Sequence, residues 1–184
     1  MFLGFLDEIG IQSTNVFGNH SGDRFAVALA VTFPERVNKL ILSGCPYLTP
    51  EMREGWFEKP AHKPKDIRAD GSHIQEWWEH HRVRFSYLGP EGIQRMLLEF
   101  LKADLGRKAH SAFASIYHYQ VEDKLPSIKC PTLLITSPQD FFHNRYEATM
   151  SLIPNCRGYI LDGTHDHPAY EKPIELAQAI LSFL

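Results

Sequence analysis

The sequence predicts an α/β fold, with a parallel sheet of about four strands, helices on both faces of the sheet and a helical insertion. Three observations predict it. Between Asn15 and Gly44 an apolar strand, a glycine-flanked turn, an Ala-rich helix and a second apolar strand follow one another. The same alternation resumes with the apolar runs Thr132–Thr136 and Gly158–Leu161. Residues 46–125, between the two blocks, carry helical patterns and loops but no strand pattern. Strands alternating with helices make βαβ units, whose crossovers are right-handed and whose strands are therefore parallel.

The elements follow in order. Phe2, Leu3, Phe5, Leu6 and Ile9 recur at helical spacing, and Gly10 is placed as a C-cap. Asn15, Val16 and Phe17 end a buried strand, and Gly18-Asn19-His20-Ser21-Gly22 is a sharp turn. Asp23 to Phe33 is a helix that Pro34 stops, and Val37 to Leu42 is the next strand. Prolines and charges then mark a loop with one short helix over Pro50–Phe57. Ser72 with Gln75 reads as a capping box opening a helix that carries Trp77, Trp78 and His81. Pro90-Glu91 starts another, with Ile93, Met96, Leu97, Phe100 and Leu101 on one face, ended near Gly106, and a third covers Ala109–Tyr119. After the strand Thr132–Thr136 come a turn carrying Asp140, a helix over Tyr146–Ile153 and the strand Gly158–Leu161. A loop over residues 162–168 and an amphipathic helix from Pro173 to Leu184 complete the chain.

Composition narrows the function. The 184 residues are 43% hydrophobic and 22% charged, with a net charge of −3, which leaves no basic footprint for nucleic acid or an anionic membrane. Cys45, Cys130 and Cys156 are too few and too scattered for a disulfide framework or a zinc site, so a reducing, cytoplasmic setting is expected. The opening residues turn acidic at Asp7 and Glu8, unlike a signal peptide, and no apolar run approaches membrane-spanning length. His165-Asp166-His167 and His80-His81 suggest metal ligands, but neither follows a zinc pattern with a third ligand at fixed spacing, so neither a metal nor any other cofactor is expected.

The turn Gly18–Gly22, the Ala-rich helix and Pro34-Glu35-Arg36-Val37 closely resemble the α/β-hydrolase superfamily, whose run there is G-H-S-x-G-G, an Ala-rich helix and P-E-R-V. Lys129-Cys130-Pro131-Thr132, Asp140, Gly163 and His165 resemble its later run, C-P-T-L-x-x-x-G-x-x-D and G-x-x-H. The resemblance covers residues 1–45 and 126–184. It implies a hydrolase core built from those two segments, with 46–125 as a helical lid. It also implies a nucleophile elbow at Gly18–Gly22. Counting back from Pro34 without a gap puts His20, not Ser21, at the apex, a departure from the family's serine. Three roles are open to His20: a covalent acyl- or phosphoryl-histidine, a second acid/base, or a mark of lost hydrolysis. The family pattern further implies Asp140 as the acid and His165 as its histidine, within hydrogen-bond reach of roughly 2.6–3.2 Å, with His167 as the alternative. Ser21 would give its backbone N–H to the oxyanion hole.

Hydrolases of this fold have four strands ahead of the elbow strand, and this sequence opens at the helix before it, so only the later two-thirds of the fold is expected here, as in a truncated gene product. The resemblance implies a cofactor-independent hydrolase acting on a small, largely apolar ester-like substrate. The alternative is a catalytically inactive binding or interaction protein on the same fold. An elbow strand left without a neighbour on one side also implies homodimerisation or other self-association through Asn15–Phe17.

Overall fold

The computed structural model describes residues 2–58, 66–102 and 114–184. Two compact units divide the chain: Met1–Leu48 with Tyr119–Leu184, and Thr49–His118. The first unit contains helix α1 (Phe2–Glu8), strand β1 (Thr14–Asn19), helix α2 (Ser21–Thr32) and strand β2 (Val37–Ser43). It continues with β3 (Thr132–Thr136), α6 (Tyr146–Leu152), β4 (Cys156–Ile160), a short α7 (Pro168–Glu171) and α8 (Pro173–Phe183). The second unit contributes α3 (Pro50–Glu58), α4 (Ser72–Arg84) and α5 (Gly89–Lys102).

The four strands form one parallel sheet in the order β1-β2-β3-β4. Its two faces are read directly from alternation along the central strands. Leu40 and Leu42 of β2 and Leu134 of β3 face one side, packed with Ala26, Val27 and Ala30 of α2 and with Tyr146 of α6. Ile41, Leu133 and Ile135 face the other, against Leu161 and Leu176, the latter on α8. Both faces of β3 are buried along all five residues, which is why its sequence is continuously apolar or β-branched rather than alternating.

Element positions agree with the sequence reading to within one to three residues. Three details differ. Ser72 does not cap α4; it is the first helical residue, and Asp70 Oδ1 accepts both its backbone N–H (3.0 Å) and its hydroxyl (2.7 Å). The carboxylate is the better acceptor, so it takes the capping role. The loop after β4 contains α7, opened by Pro168 at its first position. The proposed helix end near Gly106 and the start of the helix at Ala109 lie outside the described residues, although 114–118 are helical.

Among the described residues β1 pairs on one side only, with β2, and Phe17 on it is 47% exposed. Phe2, Phe5, Ile9 and Phe25 are exposed as well. An apolar strand with one open ladder is a template for pairing with another chain. The expected outcome is self-association, with a light-scattering mass above 21.1 kDa that rises with concentration and falls back in Phe17→Lys. A monomer at every concentration would show that the edge is closed by other means.

Candidate active site

The site is built around the turn from β1 into α2. His20 stands at its apex with φ 47° and ψ −103°, the one non-glycine residue with positive φ among the described residues. Such a conformation costs on the order of 1–3 kcal/mol and persists only where its surroundings fix it. Here the end of β2 does so. The Ser43 carbonyl accepts the His20 N–H (3.0 Å) and the Asn19 Nδ2–H (2.9 Å), while the Ser43 N–H donates to Asp23 Oδ1 (3.1 Å). The Asp23 N–H closes the turn onto the His20 carbonyl at 3.1 Å.

The glycines around this turn are not equivalent. A Cβ on Gly18 would lie 2.7 Å from Asp23 N and from Gly22 C and O, all backbone. One on Gly44, where φ is +129°, would lie 2.9 Å from the His20 ring and 3.0 Å from Asp23 Oδ2. Gly22 differs: a Cβ there meets nothing within 4 Å. The expectation that both flanks of the apex need glycine therefore holds for Gly18 on steric grounds and not for Gly22, and Gly44 belongs to the elbow although the motif does not include it.

His20 Nε2 donates to Asp140 Oδ2 at 2.9 Å, and the Asp140 side chain is 5% exposed. The second oxygen, Asp140 Oδ1, accepts the Phe142 N–H at 2.6 Å, and the Phe142 ring stands edge-on to the imidazole at 5.1 Å. The expected pairing of His165 with Asp140 is not what forms. His165 Nδ1 is hydrogen-bonded to Glu171 Oε2 at 2.7 Å, and Glu171 also accepts the backbone N–H groups of His165 (2.9 Å) and His167 (3.3 Å). Nor does His167 take Asp140: it stands at the N-cap of α7. The physical reason lies in α7, whose single turn carries Glu171 back over its own N-terminus, where a carboxylate satisfies open N–H groups and then captures the imidazole beside them.

The residue that does join His20 and Asp140 is Asp166. Its carboxylate is buried, accepts the Phe141 N–H at 2.9 Å, and lies with the ligand atoms of His20 and Asp140 inside a span of 4.8 Å. Sequence reasoning met Asp166 only within His165-Asp166-His167, where no metal is expected, and gave no role to Glu171 or Asp23. The first lies between two histidines in a loop, where no periodicity decides which side chain turns inward. Glu171 could have been found from Pro168, which opens a helix turn three residues before it. Asp23 sits in the first turn of a helix, where a solvated acid is the ordinary reading.

Electrostatics follow from this crowding of carboxylates around one imidazole. Burial pulls the His20 pKa down, but its hydrogen bond to Asp140 and the charges of Asp140, Asp23 and Asp166 push it up and prevail. Asp23 is fully buried, and burial raises its carboxyl to about 7 against the opposing pull of His20, the Ser43 N–H and Arg24. Cys45, one residue past Gly44, is pushed up to about 12 by burial and is no thiolate nucleophile. Ser21 is the first residue of α2, so its N–H is among those without an intrahelical partner.

No family model matches the chain. A stretch of 41 residues is 49% identical to a 2-hydroxy-6-oxononadienedioate/2-hydroxy-6-oxononatrienedioate hydrolase of Paraburkholderia phymatum, and 42 residues are 48% identical to a 2-hydroxymuconate semialdehyde hydrolase of Pseudomonas putida. These matches cover 22% and 23% of this chain and only 14% and 15% of those enzymes. Similarity of structure extends further. An esterase from Thermogutta terrifontis superposes with a TM-score of 0.71 at 22% identity, covering 98% of this chain and 68% of that one. For an enol-lactonase from Burkholderia xenovorans the values are 0.68, 21%, 98% and 67%. The four-stranded parallel sheet with its helices is thus a partial α/β-hydrolase fold. Among the described residues no helix is long and apolar enough to cross a membrane.

Two outcomes test the site geometry. Gly18→Ala is expected to destabilise by about 1–3 kcal/mol through backbone overpacking. Gly22→Ala should be neutral or stabilising by up to ~1 kcal/mol, since it sits inside α2 with room for a methyl. Equal losses in urea melts would show that the elbow is set otherwise. The second concerns Asp23. Its folded pKa is raised, so the folded chain holds a proton that the unfolded chain releases, and stability falls as pH rises from about 4 to 7. A shift from 3.8 to about 7 corresponds to a loss on the order of 4 kcal/mol. Asp23→Asn keeps an acceptor for the Ser43 N–H and should flatten that slope; an unchanged slope would place the cause elsewhere.

Proposed function

We propose that the chain is a hydrolase of small, largely apolar ester-like substrates, acting without a cofactor, in which His20 is the proton acceptor and water the nucleophile. The observation that carries this reading is the hydrogen bond between the strained apex residue His20 and the buried Asp140. An ionised Asp140 only accepts, so Nε2 carries the hydrogen and Nδ1 keeps its lone pair. Among the described residues Nδ1 has no hydrogen-bond partner. The His20 side chain is 23% exposed and within reach of a small molecule.

Nδ1 takes a proton from water, the hydroxyl oxygen bonds to the ester carbonyl carbon, and the carbonyl electrons move onto its oxygen near the Ser21 N–H. Asp140 stabilises the imidazolium, which then gives its proton to the departing alkoxide. The solved structures that the fold is similar to include an esterase and an enol-lactonase, which supports the reaction class.

Hydrolysis of short p-nitrophenyl esters is expected to fall at least 100-fold in His20→Ala and to survive in Ser21→Ala. Fluorophosphonates should leave the chain unlabelled. Because the His20 pKa is raised, kcat/KM should rise with pH through a midpoint above about 6.5. Asp140→Asn removes the charge holding it up and should move that midpoint down. His20→Ser is expected to lose activity, because His165 is engaged by Glu171 and not placed to activate a serine. Labelling of Ser21 would overturn the assignment. The absence of any turnover would favour the non-catalytic binding protein, a reading that the engagement of His165 by Glu171 already supports.

A further inference from the structure

We propose that His20, Asp140 and Asp166 form a binding site for one divalent cation of the Zn2+ kind, with Nε2 of His20 and one oxygen of each carboxylate as its ligands. Among the described residues these are the three whose ligand atoms converge, all within 4.8 Å of one another. One imidazole and two carboxylates are the donor set of an open zinc site, in which three protein ligands leave a fourth position for water. Ligand atoms around tetrahedral zinc lie roughly 3.4 Å apart. His20 Nε2 and Asp140 Oδ2 stand at 2.9 Å, so a cation replacing the proton between them spreads them by only about 0.5 Å.

Two further features of the site belong to a cation rather than to a proton alone. The carboxylates are already oriented from behind: the Phe142 N–H holds Oδ1 of Asp140 and the Phe141 N–H holds Oδ1 of Asp166. Such backing fixes ligands and limits the cost of closing around a metal. The second is Asp23. Its Oδ2 is buried without a hydrogen-bond partner among the described residues, and lies 3.0 Å from where a Cβ on Gly44 would stand, as Cδ2 of the His20 ring does at 2.9 Å. A buried carboxyl oxygen without a donor is costly, and positive charge gained in the same site lowers that cost. Two carboxylates face one imidazole, and a dication balances their charge. The imidazole nitrogen favours Zn2+ over Mg2+, which takes oxygen ligands and keeps its water.

Binding of the cation puts Nε2 on the metal and removes the hydrogen that Asp140 holds there. It therefore competes with the proton transfer assigned to His20, and Zn2+ is expected to inhibit that reaction.

Isothermal titration of the full chain, stripped with EDTA, with zinc chloride tests the site without any turnover, so its failure and failure of the hydrolase reading are separate results. One equivalent of Zn2+ per chain is expected, with at least tenfold weaker binding in His20→Ala and in Asp166→Asn and no comparable response to Mg2+. His165→Ala should bind as the parent does. Co2+ in place of Zn2+ should give the visible absorption of a low-coordinate site in the unmodified protein and not in Asp166→Asn. Far-UV circular dichroism checks each variant, and His20→Gln replaces His20→Ala if the latter unfolds. No binding, equal binding by the His20 and Asp166 variants, or loss confined to His165→Ala would each overturn the proposal.

Discussion

The clamp between the elbow and the end of β2 is the constraint on which the site depends. One residue, Ser43, accepts from His20 and Asn19 with its carbonyl and donates to Asp23 with its N–H. Because β1 and β2 are adjacent parallel strands in fixed register, with Asn19 opposite Ser43, the sheet ladder itself delivers this backbone group to the turn. The strain of an imidazole at positive φ is thus held by the sheet rather than by contacts of the ring. The ring is consequently left to Asp140 and to Phe142.

That clamp also explains why so much carboxylate is tolerated in one place. Asp23 is buried because its Oδ1 is needed by Ser43, Asp140 because β3 ends beside β2, and Asp166 because the loop after β4 is tied back to the loop after β3. The tie is a hydrogen bond from the Ser137 hydroxyl to the Thr164 carbonyl, with the Phe141 N–H on Asp166 beside it. Each acid has a local structural reason, yet all three reach the same imidazole. Desolvation and the charge of Asp140 then raise Asp23, while the hydrogen bond and attraction of the carboxylates raise His20 against its own desolvation. His20 and Asp23 hold their protons more tightly than they would in water.

Much of the scaffold was legible in the sequence. The apolar runs at β2 and β3, Pro34 after α2 and the chain order of elbow and Asp140 depend on local chemistry: β propensity, a missing N–H, glycine in a crowded turn. The apex residue was legible too, because Pro34-Glu35-Arg36-Val37 fixed the count back to His20. What could not be read was which partner each side chain would choose. His165 lies in a loop within reach of acids on two elements, and the choice of Glu171 over Asp140 is made by a four-residue helix too short to give a periodic signal. The side that Asp166 takes was hidden for the same reason, since 162–167 is neither strand nor helix and adjacent positions have no assigned sides.

An imidazole rather than a hydroxyl at the apex of such a turn has a consequence for the groups around it. A serine at an elbow is inert until a base beside it removes its proton, so the strained turn and the remote histidine form a single device. With an imidazole at the apex the base stands where the nucleophile would be, and its carboxylate partner reaches it directly, as Asp140 does at 2.9 Å. A second histidine is then not needed beside the apex, and His165 pairs with Glu171 instead. The position next to it, Asp166, can carry a second carboxylate toward the apex without competing with a catalytic histidine. A single substitution at the apex is therefore coherent with the rest of the site. The turn presents a carboxylate-bound imidazole at its apex.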